Sequence, residues 1–169
     1  LVEGFKDERI CYHFIGENLG ISGNTNKALE MATGDWIVLC DHDDLLVPNA
    51  LYEFADRITK DPEIDSIYSD EDKIDETGKK LFEPHFKPDF NIDMLRSNNY
   101  ICHLYGVRKE LVDRVGKFNS QFDGAQDYDF ILRMSENSRK VGHVSKILYH
   151  WRTHINSTAA NPESKMYAF

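Results

Sequence analysis

The chain alternates short apolar blocks with short polar ones. Trp36 to Cys40 is a continuous apolar run of five residues, the pattern of a strand covered on both faces. Arg9 to Ile15, rich in Ile, Tyr, Phe and Cys, reads as a strand, and so do Asp65 to Ser69, Ile101 to Val107 and His143 to Trp151. Helical periodicity fills the gaps between them. Ser22 offers an N-cap for a helix over Asn24 to Thr33 that Gly34 closes. Pro48 suits a helix first turn, and Leu51, Phe54, Ala55 and Ile58 then mark one apolar face. Asn91 to Ser97, Lys109 to Val115 (stopped by Gly116) and Gln126 to Asn137 complete the set, with Phe130, Ile131 and Met134 facing inward. Residues 70 to 90, polar and broken by Gly78, Pro84 and Pro88, read as a long loop. No internal repeat or low-complexity tract is present.

Strands alternating with helices predict an α/β domain around a largely parallel sheet. In such sheets ligands bind beyond the carboxyl ends of the strands. The Trp36 to Cys40 run ends directly in Asp41-His42-Asp43-Asp44. Acidic residues also start turns and cap helices, and Asp44 sits where a cap would. Three carboxylates in four residues go beyond that need: burying them uncompensated is costly, and a divalent cation is the usual remedy. Carboxylates without cysteine suit Mg²⁺ or Mn²⁺. Such an ion completes its shell with water and substrate phosphates, so the cluster points to a phosphorylated substrate. A second acidic stretch, SDEDKIDETG at 69–78, fails the EF-hand spacing because Ile74 and Asp75 stand where a ligand and the turn glycine are needed. It reads as a solvated loop.

Length and charge narrow the classes. The 169 residues suffice for one domain with a core. The net charge of −9 argues against a nucleic-acid partner, which would want a basic face. No apolar run approaches the ~20 residues of a membrane span, and no signal peptide is visible. Cys11, Cys40 and Cys102 fit no disulfide or zinc pattern. Cys40 reads as a small core residue, and the expected location is cytoplasmic, including the inner face of a membrane reached through partners or further segments.

Four ordered stretches together carry a resemblance. ENLGISGNTNKALEMATGDWIVLCDHDD resembles the nucleotide-sugar half of the family 2 glycosyltransferases. FEPHFKPDFNIDMLRSNNYICH, GAQDYDFILRMSE and LYHWRTHINST resemble the acceptor half. The resemblance implies a GT-A-like fold, with residues 1–69 as the nucleotide-sugar-binding part and 70–169 as the acceptor-binding part. It implies an inverting enzyme that uses Mn²⁺ or Mg²⁺, a nucleoside-diphosphate sugar donor and a glycan or lipid-linked acceptor, in surface polysaccharide or glycan synthesis. By this resemblance Asp43 reaches the metal, Asp41 lies near the ribose or metal, Asn26 lies beside the nucleotide, Asp127 is the catalytic base and His154 completes the metal shell.

Thr25 and Gln126 depart from the arginine and glutamate many members carry there. Residues 1 to 8 supply neither of the family's first two strands, which implies a domain truncated at its N-terminus and shortened at its C-terminal end. An open sheet edge would then favour a homodimer through residues 9–16 and 36–40. Two other readings stand beside the transferase: a non-catalytic remnant or interaction domain of the same fold, and a metal-dependent phosphohydrolase. The second lacks a phosphate-binding glycine loop or nucleophile motif. Asp127 also reads as a helix-capping aspartate, His154 as a surface histidine, with His150 as its runner-up. Arg133 and Arg152 are candidate diphosphate contacts, with a helix-surface ion pair as the other reading of Arg133. Tyr100, His103 and Trp151 read either as a sugar platform or as core.

Overall fold

A computed structural model describes residues 4–153. The strands are β1 (Trp36–Leu39), β2 (Leu45–Leu46), β3 (Ser66–Ile74), β4 (Leu81–His85), β5 (Tyr105–Arg108) and β6 (Val141–Arg152). The helices are α1 (Gly20–Met31), α2 (Ala50–Lys60), α3 (Ile92–Ser97), α4 (Lys109–Val115) and α5 (Gln126–Asn137). The sheet order is β1-β5-β3-β6-β2, and β4 pairs with β3 beyond the end of β5.

The α/β expectation is met; the largely parallel sheet is not. Only β3 and β6 pair in parallel, and the other four pairings are antiparallel. β1, β3 and β6 do run the same way, as alternating strands and helices suggest. β5, however, enters between β1 and β3 in the opposite sense. Antiparallel neighbours need no helical crossover, so alternation along the chain did not fix direction in the sheet.

Each face of the sheet carries its own apolar layer. Tyr68, Tyr105 and Val107 join Leu95 of α3, Leu111 and Val112 of α4 and Phe130, Ile131 and Met134 of α5. On the other face Ile67, Val144, Leu148 and Tyr149 meet Ala50 and Phe54 of α2. Gly106 permits that second layer to close: a Cβ there would stand 3.2 Å from the Phe54 ring and 3.1 Å from Ile67 Cγ2.

Four local expectations fail for physical reasons. Arg9 to Ile15 forms no strand; Ile10, Tyr12 and Phe14 are exposed, and among the described residues no neighbouring strand supplies a ladder. Trp36 to Leu39 is an edge strand with only Ile37 buried, and Cys40 is exposed. Its open flank with α1 forms a cavity of about 400 Å³ lined by Leu29, Ala32 and residues 36–40. Helix α1 begins at Gly20, ahead of the expected start, and Ser22 is no cap: its hydroxyl donates to Asp123 across the fold. The largest departure is the acidic stretch at 69–78. It is not a solvated loop but the second half of β3, joined to β4 by a hairpin whose turn Asp75 ties by accepting from Lys79 N and Lys80 N. Asp70, Glu71 and Asp72 are 3%, 5% and 6% exposed.

Candidate active site

The acidic turn after β1 is fastened by β6. Tyr149 Oη donates to Asp44 Oδ2 at 2.5 Å and accepts from Asp41 N at 3.1 Å. Arg152 N donates to Asp44 Oδ1 at 2.7 Å, and Arg152 Nε donates to the Asp43 carbonyl at 2.6 Å. Arg152 therefore holds the turn itself. Partial burial pushes the Asp44 carboxyl up from its ordinary value against the opposing pull of Tyr149 and Arg152. Burial and the neighbouring Asp44 push the Tyr149 phenol up, so Tyr149 stays a donor at neutral pH.

His103 closes the cluster. It comes from the irregular 98–104 segment that leads into β5. Its Nε2 lies 3.7 Å from Asp41 Oδ2. Its ring stacks on Tyr149 with centroids 4.8 Å apart and meets Trp151 edge-on at 5.9 Å. One ligand atom each from Asp41, Asp44 and His103 fall within 4.8 Å of one another. His103 Nδ1 is buried with no hydrogen-bond partner. Two carboxylates and an imidazole form a donor set suited to Mn²⁺ or Mg²⁺, so the residues present fit a divalent ion. Asp43, which the resemblance implied as the chief ligand, is outside this trio; its carboxylate lies 3.9 Å from His42 Nδ1. His154 lies outside the described residues.

Asp127 sits in the first turn of α5. Asn99 Nδ2 donates to Asp127 Oδ2 at 3.4 Å, while Asn99 Oδ1 accepts from Cys102 N at 3.3 Å. Asn99 thus links Asp127 to the segment that carries His103. Asp129 is engaged elsewhere: its carboxylate accepts from Arg133 Nε at 3.0 Å and Nη2 at 2.7 Å. That makes Arg133 the helix ion pair. Asn99 and Trp151 also line a cavity of about 310 Å³, together with Asn98, Cys102, His85 and Glu71, among others. Asn26, on α1, makes its side-chain bonds elsewhere. Its amide is spent on Phe118, donating to the carbonyl at 2.9 Å and accepting from the amide at 3.0 Å.

Sequence reasoning found Asp41 and Asp127 as candidates, placed Asp44 in the acidic cluster with a helix cap as its other reading, read His103 as platform or core, and missed Asn99 and Tyr149. His103 had a signal, a histidine two residues before an apolar strand. Tyr149 had none, because its role depends on a pairing with a turn more than 100 residues away.

Residues 1–116 match the family described as Glycosyl transferase family 2, and the chain belongs to that family. A protein of Sinorhizobium fredii, y4gI, is 44% identical over 165 residues, which is 96% of this chain and 18% of that one. The O-antigen biosynthesis protein RfbC of Myxococcus xanthus is 40% identical over 128 residues, 76% of this chain and 10% of that one. Chondroitin synthase of Escherichia coli is 29% identical over 147 residues, 85% of this chain and 21% of that one. The chain thus spans under a quarter of these relatives. In fold it resembles S. aureus TarS 1-349 in complex with UDP-GlcNAc, with a TM-score of 0.62, 19% identity and coverage of 80% of this chain and 39% of that one. Among the described residues no helix is long and apolar enough to cross a membrane.

Proposed function

We propose that this chain transfers a sugar, with inversion, from a nucleoside-diphosphate sugar to the hydroxyl of a glycan or lipid-linked acceptor in polysaccharide synthesis. The observation that carries the reading is the convergence of Asp41, Asp44 and His103 beyond β1, with Asp127 tied to the same segment through Asn99. The relatives named for O-antigen and chondroitin synthesis, and the fold neighbour bound to UDP-GlcNAc, support the substrate class.

Asp41, Asp44 and His103 would hold Mn²⁺ or Mg²⁺, which supplies Lewis-acid stabilisation of a departing diphosphate. Asp43, in the same turn, keeps the role of metal ligand that the family resemblance implies, and Asp41 that of a group near the ribose or metal. Residues 1–69 serve the nucleotide sugar, and residues 70–169 serve the acceptor. Asn26 acts beside the nucleotide by fixing α1 to residue 118 rather than by offering its amide. Asp127 is the general base. Its carboxylate accepts the proton as the acceptor hydroxyl attacks. Asn99 orients it. The cavity beside Trp151 and Asn99 takes the acceptor, whose ring stacks on the indole and whose hydroxyls meet the amides. His154 is the remaining candidate ligand, and the open β1 flank is the proposed surface for a second copy.

Replacing Asp127 with Asn keeps the shape and removes the base. Transfer from a UDP-sugar to a glycan acceptor should fall about 10²–10⁴-fold, while calorimetric binding of the donor persists. Asp129→Asn should leave transfer within a few-fold of the parent. Loss of transfer in Asp129→Asn alone would move the base to Asp129.

A further inference from the structure

Lys87 is the most completely buried cation among the described residues, its side chain 0% exposed in its ion pair with Glu71. Its Nζ donates to the carbonyls of Ile101, at 2.5 Å, and His103, and lies 3.3 Å from Glu71 Oε2. Glu71 Oε2 in turn accepts from His103 N at 3.0 Å, and Glu71 Oε1 lies 3.3 Å from His85 Nδ1. The main chain of His103 is therefore gripped on both polar groups, its N–H by Glu71 and its C=O by Lys87. Lys87 is itself anchored, because its backbone N–H donates to Asp70 Oδ1 at 3.0 Å.

A buried ion pair is weak evidence of a stabilising role, since desolvation offsets much of the attraction. What this pair touches is more informative. Apart from Glu71, both polar contacts of Lys87 Nζ fall on one stretch, residues 101–103, which has no regular structure and whose side chain at 103 stands in the Asp41–Asp44 cluster. No helix or strand ladder holds that stretch, so the pair supplies the hydrogen bonds that a ladder would otherwise make. Groups that orient a ligand from behind commonly matter about 10–100-fold to metal affinity.

We propose that Glu71 and Lys87 are a pair of positioning residues that fix the His103 peptide and so aim its imidazole at Asp41 and Asp44. The functional half of this proposal rests on the reading of that cluster as a divalent-ion site. The geometric half does not. The imidazole lies over the Tyr149 ring and beside Trp151, so its protons are shielded by ring currents only while the peptide is held.

The test uses Glu71→Gln/Lys87→Met, which removes both charges together and avoids the unpaired buried carboxylate that Lys87→Met alone leaves and that can unfold the chain. Two quantities are read: the His103 ring-proton shifts by NMR in metal-free protein, assigned with His103→Gln, and Mn²⁺ affinity by calorimetry. The expected result is a His103 signal displaced toward the unstacked value and Mn²⁺ binding weakened about 10–100-fold. An unmoved His103 signal overturns the proposal, and so does a moved signal with Mn²⁺ affinity within about twofold of a parent that binds the ion. If the parent binds no Mn²⁺, the metal reading fails by itself, and the ring shift alone decides whether the pair positions His103.

Discussion

Two acidic stretches of this chain meet opposite fates. Asp41-His42-Asp43-Asp44 follows an edge strand and leaves Asp41 exposed beside His103. Asp70-Glu71-Asp72 lies inside β3, the strand with the most neighbours, and is buried throughout. In β3 each carboxylate has its own partner from elsewhere: His143 Nε2 at 2.9 Å from Asp70, Lys87 Nζ at 3.3 Å from Glu71 and His150 Nδ1 at 2.5 Å from Asp72. In the turn Asp44 draws instead on a phenol and a backbone amide, and Asp41 Oδ2 lies 3.7 Å from His103 Nε2. Charge density along the sequence is alike in the two stretches. What separates the two clusters is the supply of internal partners: Lys87 from the segment after β4 and two imidazoles from β6 reach the carboxylates of β3.

The contrast breaks first under substitution. Glu71→Ala should leave Lys87 buried without its carboxylate and cost about 3–5 kcal/mol, which for a chain of this size lowers the melting temperature by roughly 10 °C. Calorimetric melting checks it. A loss below about 1 kcal/mol would mean that the β3 network is no more coupled than a surface pair.

Acidification should act oppositely on the two stretches. Burial pushes the Glu71 carboxyl up, but His85, Lys87 and His103 outweigh it and hold the carboxyl below its ordinary value. The stabilisation from Glu71 is therefore present above the ordinary carboxylate pKa and is lost as pH falls through the depressed value. The Asp44 carboxyl is raised, chiefly by burial, so ionising it costs stability at neutral pH, and that cost disappears as pH falls through the raised value. Urea melts from pH 7 to 3 should show the parent losing its advantage over Glu71→Gln and gaining on Asp44→Asn. The same trend for both variants would contradict the distinction.

The smallest effect belongs to the turn without ligand. Asn keeps an acceptor for Arg152 N and turns its amide donor toward the Tyr149 oxygen, and it removes the cost of ionising a half-buried carboxylate, so Asp44→Asn at pH 7 should change metal-free stability by no more than about 1 kcal/mol. A loss comparable to that of Glu71→Ala would make Asp44 a structural carboxylate like those of β3.

The same contrast explains what the sequence could reveal. The apolar run at 36–40 marked a strand, and the aspartates after it marked its carboxyl end, because both signals are local. The α5 pattern put Phe130, Ile131 and Met134 in the core for the same reason. The acidic half of β3 was illegible, since Asp70-Glu71-Asp72 has a strand's environment only when Lys87, His143 and His150 are already in place. Strand direction was illegible too, because it depends on where β5 inserts. Of the candidate site, Asp41 and Asp127 were readable from motif and helix position. His103 and Tyr149 acquire their roles through a stacking contact and a hydrogen bond that join β5 and β6 to the turn after β1.

The most direct test of the two-cluster account is the binding of Mn²⁺ with a nucleoside diphosphate, followed by calorimetry, in Asp44→Asn, Asp43→Asn and Asp72→Asn. The account predicts that Asp44→Asn loses metal-dependent binding, that Asp43→Asn weakens it less, and that Asp72→Asn keeps it. Unchanged binding in Asp44→Asn, or its loss in Asp72→Asn, would place the ion elsewhere and contradict the division between the two stretches.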